Sequence, residues 1–192
     1  MSESNSQCIF IGAALSSRSN RALSGAASDM RAGSGSSDLD LRWVAPARYH
    51  VTLKYIGWSK PAFVPAIVDA VSAVVANTKP FDMRCRDLNA FPSMEKAEVL
   101  WAGIDDRMGE LAKLAGAIDL ALGELGVEQE TKPFVPHVTI ARLKRPGNVV
   151  KLVQLVPEHV FSKSSLKSLI LYESSVESGS SEFKKIADWS LE

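Results

Sequence analysis

YHVTLKYIG (Tyr49–Gly57) and PHVTIARLK (Pro136–Lys144) decide how this chain is read. Each sets a His, an apolar residue, a Thr and a second apolar residue into a β-branched run. Alternation of apolar and polar residues is the period of a strand with two unlike faces. Positions i and i+2 of a strand point the same way. His50 and Thr52 therefore share a face, as do His137 and Thr139, with Val51/Leu53 and Val138/Ile140 on the other. The chain has three histidines, and two of them occupy this frame. Two of its four threonines are their +2 partners.

The rest of the chain supplies a strand-and-helix set around each motif. Residues 1–7 read as a disordered polar tail. CIFIGAAL (Cys8–Leu15) reads as a buried strand, and 16–31 as a helix weakened by Ser and Gly. The Ser/Gly run 32–38 reads as a flexible loop, and 41–44 as a short strand ended by Pro46. Beyond Gly57 a helix is expected, with Ser59 as its N-cap, Pro61 in its first turn and Val64, Ile67, Val68, Val71, Val74 and Val75 as its buried stripe. Strands follow at 81–90 and 99–104, then a helix over 106–125 whose stripe includes Met108 and Leu125. After the second motif come a short helix (149–156), a strand (166–173), a Ser/Gly turn (174–181) and a closing strand (183–191). The predicted fold is α+β and bilobal, with a weak internal duplication. Two antiparallel sheets are flanked by helices around a central cleft, all 192 residues forming one domain.

Composition narrows the function. With 46% hydrophobic and 23% charged residues the chain is an ordinary globular sequence. Its net charge of zero leaves only a local patch for nucleic acid, which favours a short or terminal ligand over a long one. Cys8 and Cys85 make no CxxC, so neither a disulfide framework nor a zinc site is expected. The polar start carries no recognisable signal peptide, and no run reaches the roughly 20 apolar residues of a membrane span. A cytoplasmic monomer without metal or cofactor is the expectation.

Two imidazoles across a cleft suit general acid–base chemistry, since His titrates near neutral pH and one ring can be neutral while the other is protonated. A Thr hydroxyl beside each His can donate to an anionic oxygen. Two such donors and two imidazoles describe a cradle for a tetrahedral anion, phosphate above all. The sequence holds no G-x-S-x-G elbow, no H-E-x-x-H and no Walker A run.

These motifs resemble the signature of the two-histidine (2H) phosphoesterase superfamily. Within it the chain is similar to the RNA 2′,3′-cyclic phosphodiesterases, also called 2′-5′ RNA ligase-like proteins. The likeness runs through CIFIGAAL, RWV, HVTLKYIG, NAFP, VLWAGI, PFVPHVTIAR and LILYES. It implies a bilobal fold in which each lobe gives one His strand to the cleft. It also implies metal-independent hydrolysis of a 2′,3′-cyclic phosphate on an RNA end or nucleotide, leaving a 2′-phosphate. His50 and His137 would be the catalytic pair, with Thr52 and Thr139 on the phosphate. The resemblance adds Arg142, five residues after the second His, near the phosphate. It adds Tyr55, five after the first, stacked on a base. Strict alternation puts both on the face opposite the histidines. Either the strands bulge or twist, or these side chains reach round the edge. Lys54 reads as solvent-facing, Trp43 and Trp101 as core, His159 as surface. Lys144/Arg145 and Lys184/Lys185 read as solvated faces, though either pair could hold an RNA backbone. Two other functions stay open: cleavage or ligation of 2′-5′ linkages, and a non-catalytic module that binds RNA ends or nucleotides.

Overall fold

A computed structural model describes residues 6–34, 39–156, 160–177 and 180–191. In chain order the strands are β1 (Gln7–Ala14), β2 (Leu41–Trp43), β3 (His50–Ser59), β4 (Phe81–Phe91), β5 (Ala97–Asp105), β6 (His137–Gly147), β7 (Val160–Leu166), β8 (Ser168–Glu177) and β9 (Ser180–Ser190). The helices are α1 (Ser17–Gly33), α2 (Val64–Val75), α3 (Glu110–Gly123) and the single turn α4 (Val150–Val153). Every strand pairing is antiparallel.

The strand order is β7-β4-β5-β6-β3-β1-β8-β9, with β2 pairing β6 off this path. The two expected sheets are thus joined into one, and the join is narrow. β3 and β6 meet at one pair, Val51↔Val138, and both valines are fully buried. On either side the order repeats as His strand, neighbour, next neighbour, edge. That symmetry is the duplication expected from the sequence, now visible in the sheet.

Helices cross between the halves. α1 follows β1 but packs against β7 in the other half, where Ser162 Oγ donates to Ser19 Oγ at 2.7 Å. α3 follows β5 but packs against β3 and α2. α2 also meets β9, where Trp189 Nε1 donates to Ser72 Oγ at 2.9 Å. A helix takes whichever apolar sheet face buries its stripe, and local sequence does not name that face. No helix among the described residues is long and apolar enough to cross a membrane.

Several expectations change. Gln7 belongs to β1 rather than to a tail. Ser59 ends β3 and is buried instead of capping α2; Pro61–Phe63 forms a tight turn and the helix starts at Val64. α3 starts late because the Asp106 carboxylate accepts from Gly109 N and Leu111 N, so Met108 lies outside the helix and is 71% exposed. Leu125 is exposed as well. α1 runs on through Gly33, past its expected end. β7 is not among the expected strands, because VFSKSSL lacks the β-branched content of a typical strand. Strands β8 and β9 continue into the expected Ser/Gly turn. His159 lies outside the described residues.

Lys54 departs most from expectation. It is not solvent-facing but 6% exposed. Its ammonium donates to Asp119 Oδ1 on α3 and to the Glu128 carbonyl. Asp119 also accepts from Glu130 N. A buried ammonium needs such partners, because an unpaired one forfeits its hydration. Lys54, four residues after one His, thus fastens the segment that leads to the other. Removing one partner of a buried pair strands the other charge. Lys54→Met is expected to cost about 3 kcal/mol, and Lys54→Met/Asp119→Leu to recover part of it. Urea unfolding midpoints of the three proteins check this.

Candidate active site

The antiparallel pairing of Val51 with Val138 fixes how the two motifs meet. Each valine sits between the His and the Thr of its own motif. Reversed strand direction then sets His50 beside Thr139 and Thr52 beside His137. The valines point into the core and the four polar side chains share the opposite face, each half-buried. The sequence-predicted quartet is therefore brought together, with each His next to the other motif's Thr.

Beyond the quartet both strands break alternation at the same place. Along β1, Gly12 pairs Thr52 and Ile11 pairs Lys54, so Leu53 has no partner. Along β5, Trp101 pairs Thr139 and Leu100 pairs Ala141, so Ile140 has none. Leu53 and Ile140 are bulge residues, each three after its His. A bulge inserts one residue and moves all later side chains to the other face. Burial follows suit: positions +3 and +4 are both buried in each motif, and +5 is exposed. Tyr55 and Arg142 thereby return to the face of the histidines. Of the two ways the sequence left open, the strands bulge.

Both imidazoles are held alike. His50 Nδ1 lies 2.8 Å from the Arg48 carbonyl, and His137 Nδ1 lies 2.7 Å from the Val135 carbonyl. A carbonyl only accepts, so in each ring Nδ1–H donates and Nε2 is left for chemistry. Aromatic rings brace both. His50 packs on Phe10 (centroids 4.9 Å) and edge-on to Phe183 (5.1 Å). His137 packs edge-on to Phe91 (5.1 Å) and against Trp101 (5.7 Å). Trp101, expected in the core, is instead a half-buried wall of the site: it pairs Thr139 and packs on Phe91 and His137. Gly12 makes room for the first imidazole, since a Cβ there would meet the Val51 carbonyl at 3.1 Å and His50 Cδ2 at 3.3 Å.

Burial pushes both histidine pKa values below the ordinary 6.5, against the opposing pull of the carbonyl hydrogen bonds. For His50 the fields of His137 and Arg142 add to the lowering; for His137 that of Arg142 does. The same guanidinium lowers both rings, in keeping with the bulge at Ile140 that returns Arg142 to their face. An anion bound there would reverse the balance and favour imidazolium.

Two recesses flank the pair. One, of about 880 Å³, is bounded by Thr52, Tyr55, Phe91, Lys132, Phe134 and His137. The other, of about 550 Å³, holds Asn20, Arg48, His50, Tyr172, Glu182 and Phe183. Among the described residues no three His, Cys, Asp or Glu side chains are grouped so as to hold a metal ion. Phe10, Tyr172 and Phe183 escaped the sequence reading because they reach His50 from β1, β8 and β9. The two carbonyls escaped because they are backbone.

Residues 21–167 match the family described as the 2′-5′ RNA ligase superfamily. Among curated proteins, an RNA 2′,3′-cyclic phosphodiesterase of Aeropyrum pernix is 30% identical over 118 residues, 62% of this chain and 66% of that protein. One of Aquifex aeolicus is 27% identical over 147 residues, 76% of this chain and 70% of that protein. A crystal structure from Thermus thermophilus superposes with a TM-score of 0.80 at 21% identity, covering 96% of this chain and 97% of that one. E. coli LigT complexed with 3′-AMP gives 0.78 at 21%, covering 97% and 99%. These structures share the fold.

Titration of the free protein by NMR is expected to give both His50 and His137 midpoints below 6.5. Arg142→Ala should raise both together, because it removes a cation that both rings feel. A shift in only one ring would place Arg142 beside that ring alone.

Proposed function

The chain belongs to the 2′-5′ RNA ligase superfamily, and from that premise we propose that it is an RNA 2′,3′-cyclic phosphodiesterase that opens a terminal cyclic phosphate to a 2′-phosphate. The observation that carries this reading is the crossed His–Thr arrangement around Val51↔Val138, with both imidazoles presenting Nε2. Relatives bearing the name RNA 2′,3′-cyclic phosphodiesterase support it. So does a nucleotide in a structure of the same fold, 3′-AMP in E. coli LigT.

Thr52 and Thr139 donate to the non-bridging phosphate oxygens, and Arg142 offsets their charge. One imidazole takes a proton from water through Nε2 as the water oxygen bonds to phosphorus. The P–O3′ bond breaks, and the other imidazole, protonated on Nε2, gives its proton to O3′. The products are a 2′-phosphate and a 3′-hydroxyl; the base ring ends protonated by water's proton and the acid ring ends neutral. Bound phosphate supplies the charge that lets one ring be imidazolium near neutral pH, where burial alone keeps both neutral. Tyr55 stacks on the terminal base. The two halves act as one bilobal unit, since the cradle draws one His and one Thr from each.

Incubation with a nucleoside 2′,3′-cyclic phosphate and with an oligonucleotide carrying the same cyclic end, with identification of the product, tests the reading; turnover of neither would sink it. His50→Ala and His137→Ala are each expected to lower kcat by about 10²-fold or more, and the double variant to be little worse than the poorer single one. The kcat/KM profile should be a bell peaking on the acid side of neutrality, since both rings titrate below 6.5 in the free protein. The kcat profile should peak at higher pH, because a bound anion raises the acid's pKa. A single-limbed profile would show that the rings are not an acid–base pair.

Turnover should survive EDTA undiminished. The motive is the donor set: the cradle offers imidazole, hydroxyl and guanidinium, and among the described residues no group of three or more His, Cys, Asp or Glu is suited to a hard cation. Loss of activity in EDTA, restored by one particular metal ion, would count against the mechanism.

A further inference from the structure

β3 carries a second bulge that the cradle does not use. Ile9 pairs Gly57 and Phe10 pairs Tyr55, so Ile56 is unpartnered. It moves Trp58 onto the face of His50, Thr52 and Tyr55. The β1 partners of Thr52, Tyr55 and Trp58 are Gly12, Phe10 and Cys8, which alternate along one face of β1. Cys8 Sγ lies 3.1 Å from the Tyr55 hydroxyl, so Tyr55 leans over the partner of Trp58. Tyr55 is 61% exposed and Trp58 75%. Exposure of a large ring removes no apolar surface from water, and two in line with a phosphate cradle form a surface that asks for a ligand.

We propose that Tyr55 and Trp58 form a stacking track for the single-stranded RNA that leads up to the cyclic phosphate, so that the substrate is an oligonucleotide end rather than a mononucleotide. This rests on the phosphodiesterase reading above. A cyclic phosphate occupies the 3′ terminus, so the remaining strand must leave the cradle in one direction. Steps from Thr52 to Tyr55 and from Tyr55 to Trp58 each span two residues of β1, about 7 Å of strand. That is about two stacking layers of 3.4 Å, room for one base and one ring per step. Stacking on a ring tolerates any base. Lys132 on the wall of the larger recess and exposed Lys60, two residues past Trp58, place cations near the same path for the backbone. At the other recess Glu182 sets a carboxylate in the way, and its rings, Tyr172 and Phe183, are half-buried.

The test has two arms. Turnover is compared for a nucleoside 2′,3′-cyclic phosphate and for a tetranucleotide with the same cyclic end, using wild type, Trp58→Ala and Trp58→Phe. Binding is measured separately by anisotropy with a labelled single-stranded tetranucleotide carrying a 3′-phosphate, which needs no catalysis. Wild type is expected to favour the tetranucleotide at least about tenfold in kcat/KM. Trp58→Ala should lose most of that preference through KM, with weaker anisotropy binding, and Trp58→Phe should retain it. An equal kcat/KM for the two lengths in wild type would overturn the track. So would an undiminished preference in Trp58→Ala, or a self-associated wild type that Trp58→Ala renders monomeric. Tight oligonucleotide binding that depends on Trp58, without turnover of either substrate, would uphold the track and sink the phosphodiesterase reading instead.

Discussion

Two valines hold the arrangement together. Val51 and Val138 form the single pair through which the halves of the sheet meet, and both are fully buried. One more or one less residue of slip on either strand would send its His and Thr to the core face, because side chains alternate. Burial of the valines thus fixes the register on which the polar quartet depends. Antiparallel direction then makes the quartet crossed, and a crossed quartet requires both halves for each His–Thr neighbourhood. The crossing helices and the Lys54–Asp119 pair reinforce the same join from behind.

Bulges are the second device. A regular strand cannot present His, Thr and a residue at +5 on one face, and each motif does so by leaving its +3 residue unpaired. The unpaired residues are apolar, Leu53 and Ile140, and both are buried. Their side chains are satisfied by the core, while the lost ladder contact falls at the rim of a cleft, where sheets commonly bend.

Electrostatics bias both rings toward the neutral form. Desolvation, each ring's cationic neighbour and, at His50, the second imidazole all disfavour imidazolium. The Arg48 and Val135 carbonyls oppose this in part and, more usefully, assign the tautomer. On the proposed reading, a site so biased would gain its second charge state from a bound phosphate, so protonation and binding would be coupled. Phe10, Phe183, Phe91 and Trp101 pack on the two imidazoles and limit their motion, which keeps Nε2 aimed.

His50, Thr52, His137 and Thr139 were legible in the sequence because they recur in one local frame and period-2 spacing puts each pair on one face. Helices α2 and α3 were legible from their stripes, though not their first turns, since Ser59 and Met108 went to other uses. The α+β class followed from the alternation of periods. Other features had no local signal. Lys54 looked solvent-facing because alternation carries no mark of a bulge, and its partners Asp119 and Glu128 lie 65 and 74 residues away. β7 was hidden by serines that pair well at a sheet edge yet lack strand character. The approach of Phe10, Tyr172 and Phe183 to His50, and of Arg142 to both rings, depends on strand order, which local periodicity does not encode. Sequence by itself determined which side chains could do chemistry, because residue type and spacing are local. Tertiary structure alone decided which of them meet, because that is set by the burial of two valines and by where each strand drops a residue from its ladder.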